Sequence, residues 1–218
     1  QSLFDKLLEK RYQIARNAGF ANYRDYKFRE LGRFDYTVSD VQQFHQAIRQ
    51  EIVPLQEQVH QDRKEKLSVE TLRPYDLAVD PTGKPPLKPA ADSTDLVEKT
   101  IQCFSQLNPD FGGYIRIMEE QGYLDLDTRK GKAPGGYNYP LDEVGIPFIF
   151  MNAKGDFSDL VTMVHEGGHA IHAFLTRDYK LSTFKHPPSE VAELASMAME
   201  LLSMEHWDAV FEDPESLL

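Results

Sequence analysis

The segment VTMVHEGGHAIHAF, residues 161–174, places three histidines and a glutamate on a repeat that a helix reconciles with the apolar residues around them. At 100° per residue, Leu160, Met163, Val164, Ile171, Phe174 and Leu175 fall on one face. His165, His169 and His172 fall within about 60° of one another on the opposite side. The spacing predicts a helix from about residue 156 to residue 177. Gly167 and Gly168 each cost such a helix about 1 kcal/mol relative to alanine, which a helix of this length absorbs. Gly167 lies on the apolar face and Gly168 between the faces, and both are expected to serve close approach of neighbouring elements.

His165, Glu166 and His169 form the HExxH pattern. Histidines at i and i+4 stand one turn apart, so both imidazoles reach one tetrahedral zinc ion at about 2.0–2.1 Å. Glu166 projects to the side, near enough to act on a zinc-bound water without displacing it. Metal-assisted hydrolysis asks for that combination: a Lewis acid that acidifies water, and a carboxylate that takes the proton. The pattern also arises by chance from two surface histidines and an unrelated glutamate, so a third ligand is needed to give it weight. His172 lies about 10 Å along the axis from His165, too far to share an ion, and is expected to support the site or to pack. The longer HExxHxxGxxH pattern fails, because His172 stands where Gly is required and Leu175 where His is required.

A second helix is predicted downstream in PPSEVAELASMAMELLSM, residues 187–204, with Ser189 as N-cap. Val191, Leu194, Ala195, Ala198 and Leu202 form an apolar back. Glu190, Glu193, Met197, Glu200 and Met204 form the opposite front, with Glu193 and Glu200 two turns apart. Facing the histidine helix, this front completes a His₂Glu site with an open fourth position. A spare carboxylate then hydrogen-bonds a ligand imidazole. Taken alone, the same acids read as the solvated face of an amphipathic helix.

The rest of the chain is mostly helical in pattern. The 218 residues suit one domain or a large part of one. Residues 1–79 predict N-terminal helices, including a long one opened by a Ser39/Gln42 capping box and kinked at Pro54. Residues 80–91, rich in proline, predict a loop. Residues 92–218 predict further helices, a strand over GIPFIFMN at 145–152, and the two site helices. The segment GKAPGGYNYP is expected to be irregular. The net charge of −11 excludes a nucleic-acid surface, and no apolar run is long enough to cross a membrane. The lone Cys103 excludes an intramolecular disulfide and suits a cytoplasmic location. A start without Met and the closing EDPESLL suggest truncation at both ends.

Together, HEGGHAIH, SEVAELASMAMELL, GKAPGGYNYP, PFIFMN and ARNAGFANYRDY resemble the M3 family of zinc oligopeptidases, in its oligoendopeptidase F branch. The resemblance implies a mainly α, zincin-like peptidase domain, with a small β-sheet beside the active-site helix and a channel admitting short peptides. It implies one Zn²⁺ held by His165, His169 and Glu193, with Glu190 the runner-up ligand. Glu166 would be the catalytic base, and Glu200 the family's second acid. Residues 145–152 resemble the edge strand along which oligopeptide substrates lie by β-augmentation. The Gly135, Gly136, Tyr137 turn would border that cleft, or be an ordinary surface turn. The family's transition-state donors come from a segment C-terminal to the second helix, and nothing after Glu205 resembles it. A peptide-binding module with a structural metal, and a metal-free helical interaction protein, are the competing readings.

Overall fold

The computed structural model describes residues 2–211, so the closing EDPESLL lies outside the described residues. The chain divides into two compact units, Gln1–Lys84 and Pro85–Leu218.

The first unit holds α1 (Ser2–Asn17), α2 (Tyr23–Glu30), α3 (Val38–Ala47) and α4 (Val53–Leu67). Gly19, expected as a stop, follows α1 at φ +81°, which glycine adopts without strain. The capping box ahead of α3 is not Ser39/Gln42 but Thr37/Asp40, two residues earlier. The Asp40 amide donates to Thr37 Oγ1 at 3.2 Å, and the Thr37 amide donates to Asp40 Oδ2 at 2.7 Å. The two overlapping motifs compete, and a charged carboxylate accepts more strongly than the amide of Gln42. Pro54 interrupts the long predicted helix through a single π turn, Ile48–Ile52, just ahead of it. The ring lacks an N–H and crowds the carbonyl four residues back, and the wider turn accommodates both.

The second unit holds α5 (Ser93–Leu107), α6 (Pro109–Glu120), β1 (Leu124–Asp127), β2 (Tyr137–Tyr139), β3 (Phe148–Ala153), α7 (Phe157–Thr176) and α8 (Ser189–Ser203). Leu96, Ile101 and Phe104 of α5, Ile115 and Met118 of α6, Ile149 and Met151 of β3, and the apolar face of α7 form its core. Five of the six residues assigned to that α7 face are buried, and Leu175 is exposed. Burying a side chain of this kind contributes about 1.5–3 kcal/mol, so α7 is anchored by its back and its histidines are left at the front.

The sheet runs in the order β1-β3-β2, with β1 parallel and β2 antiparallel to β3. The strand expected at the edge, residues 145–152, is therefore the central one, and β2 lies in the segment expected to be irregular. The correction has a physical basis: β3 buries Ile149 and Met151 on one face and half-buries Phe148 and Phe150 on the other, as suits a central strand, whereas the exposed Tyr137 and Tyr139 suit an edge.

The turn from β3 into α7 is fixed by Asp159. Its buried Oδ2 accepts from the amides of Lys154, Gly155 and Asp156 at 2.7, 2.6 and 3.1 Å, while Asp156 caps the helix by accepting from Ser158 N at 2.9 Å.

α8 does not pack through its predicted apolar back. Val191, Leu194 and Leu202 are exposed, and the buried residues are Ser196, Met199 and Ser203. Small side chains let two helices approach most closely. The buried hydroxyls are satisfied within their own helix, Ser196 donating to Glu193 O at 2.9 Å and Ser203 to Glu200 O at 3.0 Å.

Candidate metal centre

Both glycines of the histidine helix sit where other elements arrive. A Cβ on Gly167 would lie 2.8 Å from the Phe104 ring, and one on Gly168 would lie 2.8 Å from Ser196 Cα. Gly168 thus lets the backbone of α8 come against α7, and that approach brings the carboxylates to the imidazoles.

The resulting cluster comprises His165, His169 and Glu193, with ligand-capable atoms all within 4.8 Å of one another. Glu193 Oε2 is 3.4 Å from His165 Nε2, and Glu193 Oε1 is 3.8 Å from His169 Nε2. Bonds of about 2.0–2.1 Å in a tetrahedral site place neighbouring donors about 3.3–3.4 Å apart, so the spacing fits a zinc-sized ion. The donor types fit as well, two imidazoles and one carboxylate. Glu200 Oε1 meets His165 Nδ1 at 2.6 Å. With Nδ1–H donating to that carboxylate, the lone pair is left on Nε2, the atom that faces Glu193. Burial, reinforced by the neighbouring His165, pushes the His169 imidazole below its ordinary pKa and favours its neutral form.

Glu166 is buried beside the cluster. Desolvation pushes its carboxyl above the usual range and the Glu193 charge adds to that, while His165 opposes it. The Gly135–Tyr137 turn reaches the site through Gly136, where a Cβ would stand 3.4 Å from Glu166 Oε1 and 3.2 Å from Thr162 Cγ2. Asn152 Nδ2 pins that turn by donating to the carbonyls of Ala133 and Gly135, both at 2.9 Å. The ring of Tyr137 stacks on Phe150 at 4.9 Å.

His172 and Glu190 stand outside the cluster. His172 is half-buried one turn further along α7 and borders, with His169, a cavity described below. Sequence reasoning missed Asn138, whose side-chain amide donates to Glu166 O at 3.4 Å and ties β2 to α7. Only its place next to the Gly-Gly-Tyr turn could have drawn attention to it.

Helices around a small three-stranded sheet, with an HExxH helix beside it and an acid arriving from the next helix, define a zincin-like helical peptidase domain. The chain belongs to peptidase family M3, whose family model matches residues 1–101 and 114–217. It is 28% identical over 155 residues to an oligoendopeptidase F homolog of Lactococcus lactis subsp. lactis (strain IL1403), covering 71% of this chain and 25% of that protein. It is 29% identical over 159 residues to the oligopeptidase PepF of Bacillus subtilis (strain 168), covering 72% of this chain and 23% of that one. The structure of PZ peptidase A with inhibitor 2 superimposes with a TM-score of 0.91 at 32% identity, over 99% of this chain and 38% of that chain. The chain thus spans about a quarter of the length of these two curated relatives. Among the described residues no helix is long and apolar enough to cross a membrane.

Proposed function

We propose that α7 and α8 hold one zinc ion through His165, His169 and Glu193, and that the protein hydrolyses peptide bonds of short oligopeptides with Glu166 as general base. One observation carries this reading: two imidazoles and a carboxylate from consecutive helices converge with their ligand-capable atoms within 4.8 Å of one another, and a buried carboxylate lies beside them. When bound, the ion would supply Lewis acidity, polarising a carbonyl oxygen and acidifying water. The residues of the chain do the rest. Glu200 holds His165 in the ligating tautomer. Glu166 takes a proton from the attacking water as its oxygen bonds to the carbonyl carbon. Once protonated, it passes that proton to the amine nitrogen as the C–N bond breaks. Burial that lifts its pKa makes the protonated form easier to reach, which suits this return of the proton.

Substrates of oligopeptide size are supported by the names of the relatives, an oligoendopeptidase F homolog and an oligopeptidase. β2 pairs only with β3 among the described residues, so its outer edge offers backbone groups to an extended peptide, and Gly136 brings that edge to Glu166. A chain with one cysteine, buried and free, suits the reducing cytoplasm.

The Glu166→Gln variant of the full-length protein tests the role of the base. Metal content should stay at the unsubstituted level while peptide cleavage falls by about 10²–10⁴-fold. Cleavage at the unsubstituted rate would remove Glu166 from the mechanism.

A further inference from the structure

One helical turn beyond the metal-capable cluster lies a cavity of about 270 Å³, walled by Pro140, His169, His172, Lys185, His186 and Glu193. At one end it opens on two members of the cluster. At the other it meets the segment just before α8, where Lys185 and His186 stand. The charges on its walls are unequally committed. Asp142, which does not line the cavity, has its Oδ2 2.9 Å from His186 Nε2, and the Lys185 charge acts on the same carboxyl. Lys185 has no ion pair within 4.0 Å among the described residues. Glu193 would lose its repulsion for anions on taking up a cation. What remains to donate to a ligand is the Lys185 ammonium and the His172 imidazole, while His186 Nε2 is already engaged by Asp142.

We propose that this cavity is a carboxylate subsite, in which Lys185, flanked by His172 and His186, recognises a free carboxylate of a peptide lying against the metal-capable cluster. The proposal rests on reading that cluster as a peptidase site. It gives His172 a use that its distance from the ion denies it as a ligand: it continues the polar face of α7 into the subsite. Such a carboxylate belongs either to the C-terminus of a short peptide or to an Asp or Glu side chain, and both present the same chemistry. The cavity holds a residue rather than a long segment, so the recognised carboxylate lies close to the cleaved bond. A terminal carboxylate held there would make the site a gauge of peptide length.

Equilibrium binding to the zinc-loaded protein carrying Glu166→Gln, where nothing is turned over, tests this. The probes are two pairs of short alanine-based peptides: one with a free or amidated C-terminus, the other with an internal Glu or Gln and an amidated end. The carboxylate member of one pair should bind roughly tenfold tighter, the scale of a charge-assisted hydrogen bond. Lys185→Ala should bring that ratio to about one, and Lys185→Arg should keep most of it. The pair that responds identifies the source of the carboxylate. Equal affinities within both pairs, or a ratio untouched by Lys185→Ala at unchanged zinc content, would overturn the subsite. Cleavage of the amidated peptides by the full-length enzyme is scored separately. A carboxylate preference without cleavage would sink the peptidase reading and keep the subsite, and cleavage without preference would do the reverse.

Discussion

A methyl group at residue 168 would stand 2.8 Å from the Cα of Ser196 and 3.1 Å from the side chain of Met199. The first of these neighbours is backbone, so relief requires α8 to move as a body. Gly168→Ala should therefore destabilise the protein by about 1–3 kcal/mol despite a helix-propensity gain of up to about 1 kcal/mol. It should also weaken metal retention, because Glu193 and Glu200 move with α8. Gly113→Ala is the control: it is helical with nothing within 4 Å of the added carbon, so it should be neutral or slightly stabilising. Equal denaturation midpoints for the two variants would contradict the close-approach account. At this scale much was legible in the sequence. The i, i+4 histidines define their own geometry, since one turn of helix sets their separation whatever surrounds it. The choice among Glu190, Glu193 and Glu200 was not legible from spacing, because all three share a face and only the depth of the helix contact separates them. That is also why the neighbours of Gly167 and Gly168, Phe104 and Ser196, could not be named in advance.

Among the elements, the helices were readable from their periods, but the caps expected at Ser39 and Ser189 fall on Thr37 and Pro188, and the sheet was not readable. β3 announces itself as an apolar run, but LDLD and YNY are short, and their pairing is decided by partners far along the chain. α8 was found with its acid front rightly aimed at the histidines but its apolar back wrongly taken as buried, because the pattern that marks leucines as apolar does not say which face another helix can approach. β1 carries an electrostatic clasp that can be tested. Asp125 accepts from Arg129 Nη1 and Nη2 at 2.5 and 2.8 Å, and from Lys132 Nζ at 3.1 Å. Arg129 first, then Lys132, holds its carboxyl down to about 2, against about 3.9 for an unperturbed aspartate. A pKa lowered on folding contributes stability that is present above the unfolded value and lost as pH falls through the folded one. The stability difference between the unsubstituted protein and Arg129→Ala should thus be present at pH 7 and shrink between about pH 4 and pH 2. A difference constant across that range, followed by circular dichroism in denaturant, would show that Asp125 and Arg129 are not coupled.

For the whole molecule, composition and charge bounded the class, the HExxH helix and the acid helix pointed to the family, and the fold agrees with that of PZ peptidase A over 99% of the chain. Exposure is where sequence and structure part most. Phe44, Leu55 and Val59 in the first unit, and Leu194, Leu201 and Leu202 in the second, lie exposed although periodicity groups them with apolar faces. A hydrophobic period shows that a face is apolar, but what covers it depends on polypeptide that lies elsewhere. The centre of the account is that α7 and α8 grip a single ion. Anomalous diffraction at the zinc edge, from crystals of protein purified without chelator, tests that directly. The account predicts one peak within about 2.0–2.2 Å of His165 Nε2, His169 Nε2 and a Glu193 oxygen, with Glu200 still on His165 Nδ1. A peak held by other residues, or none between the two helices, would contradict it.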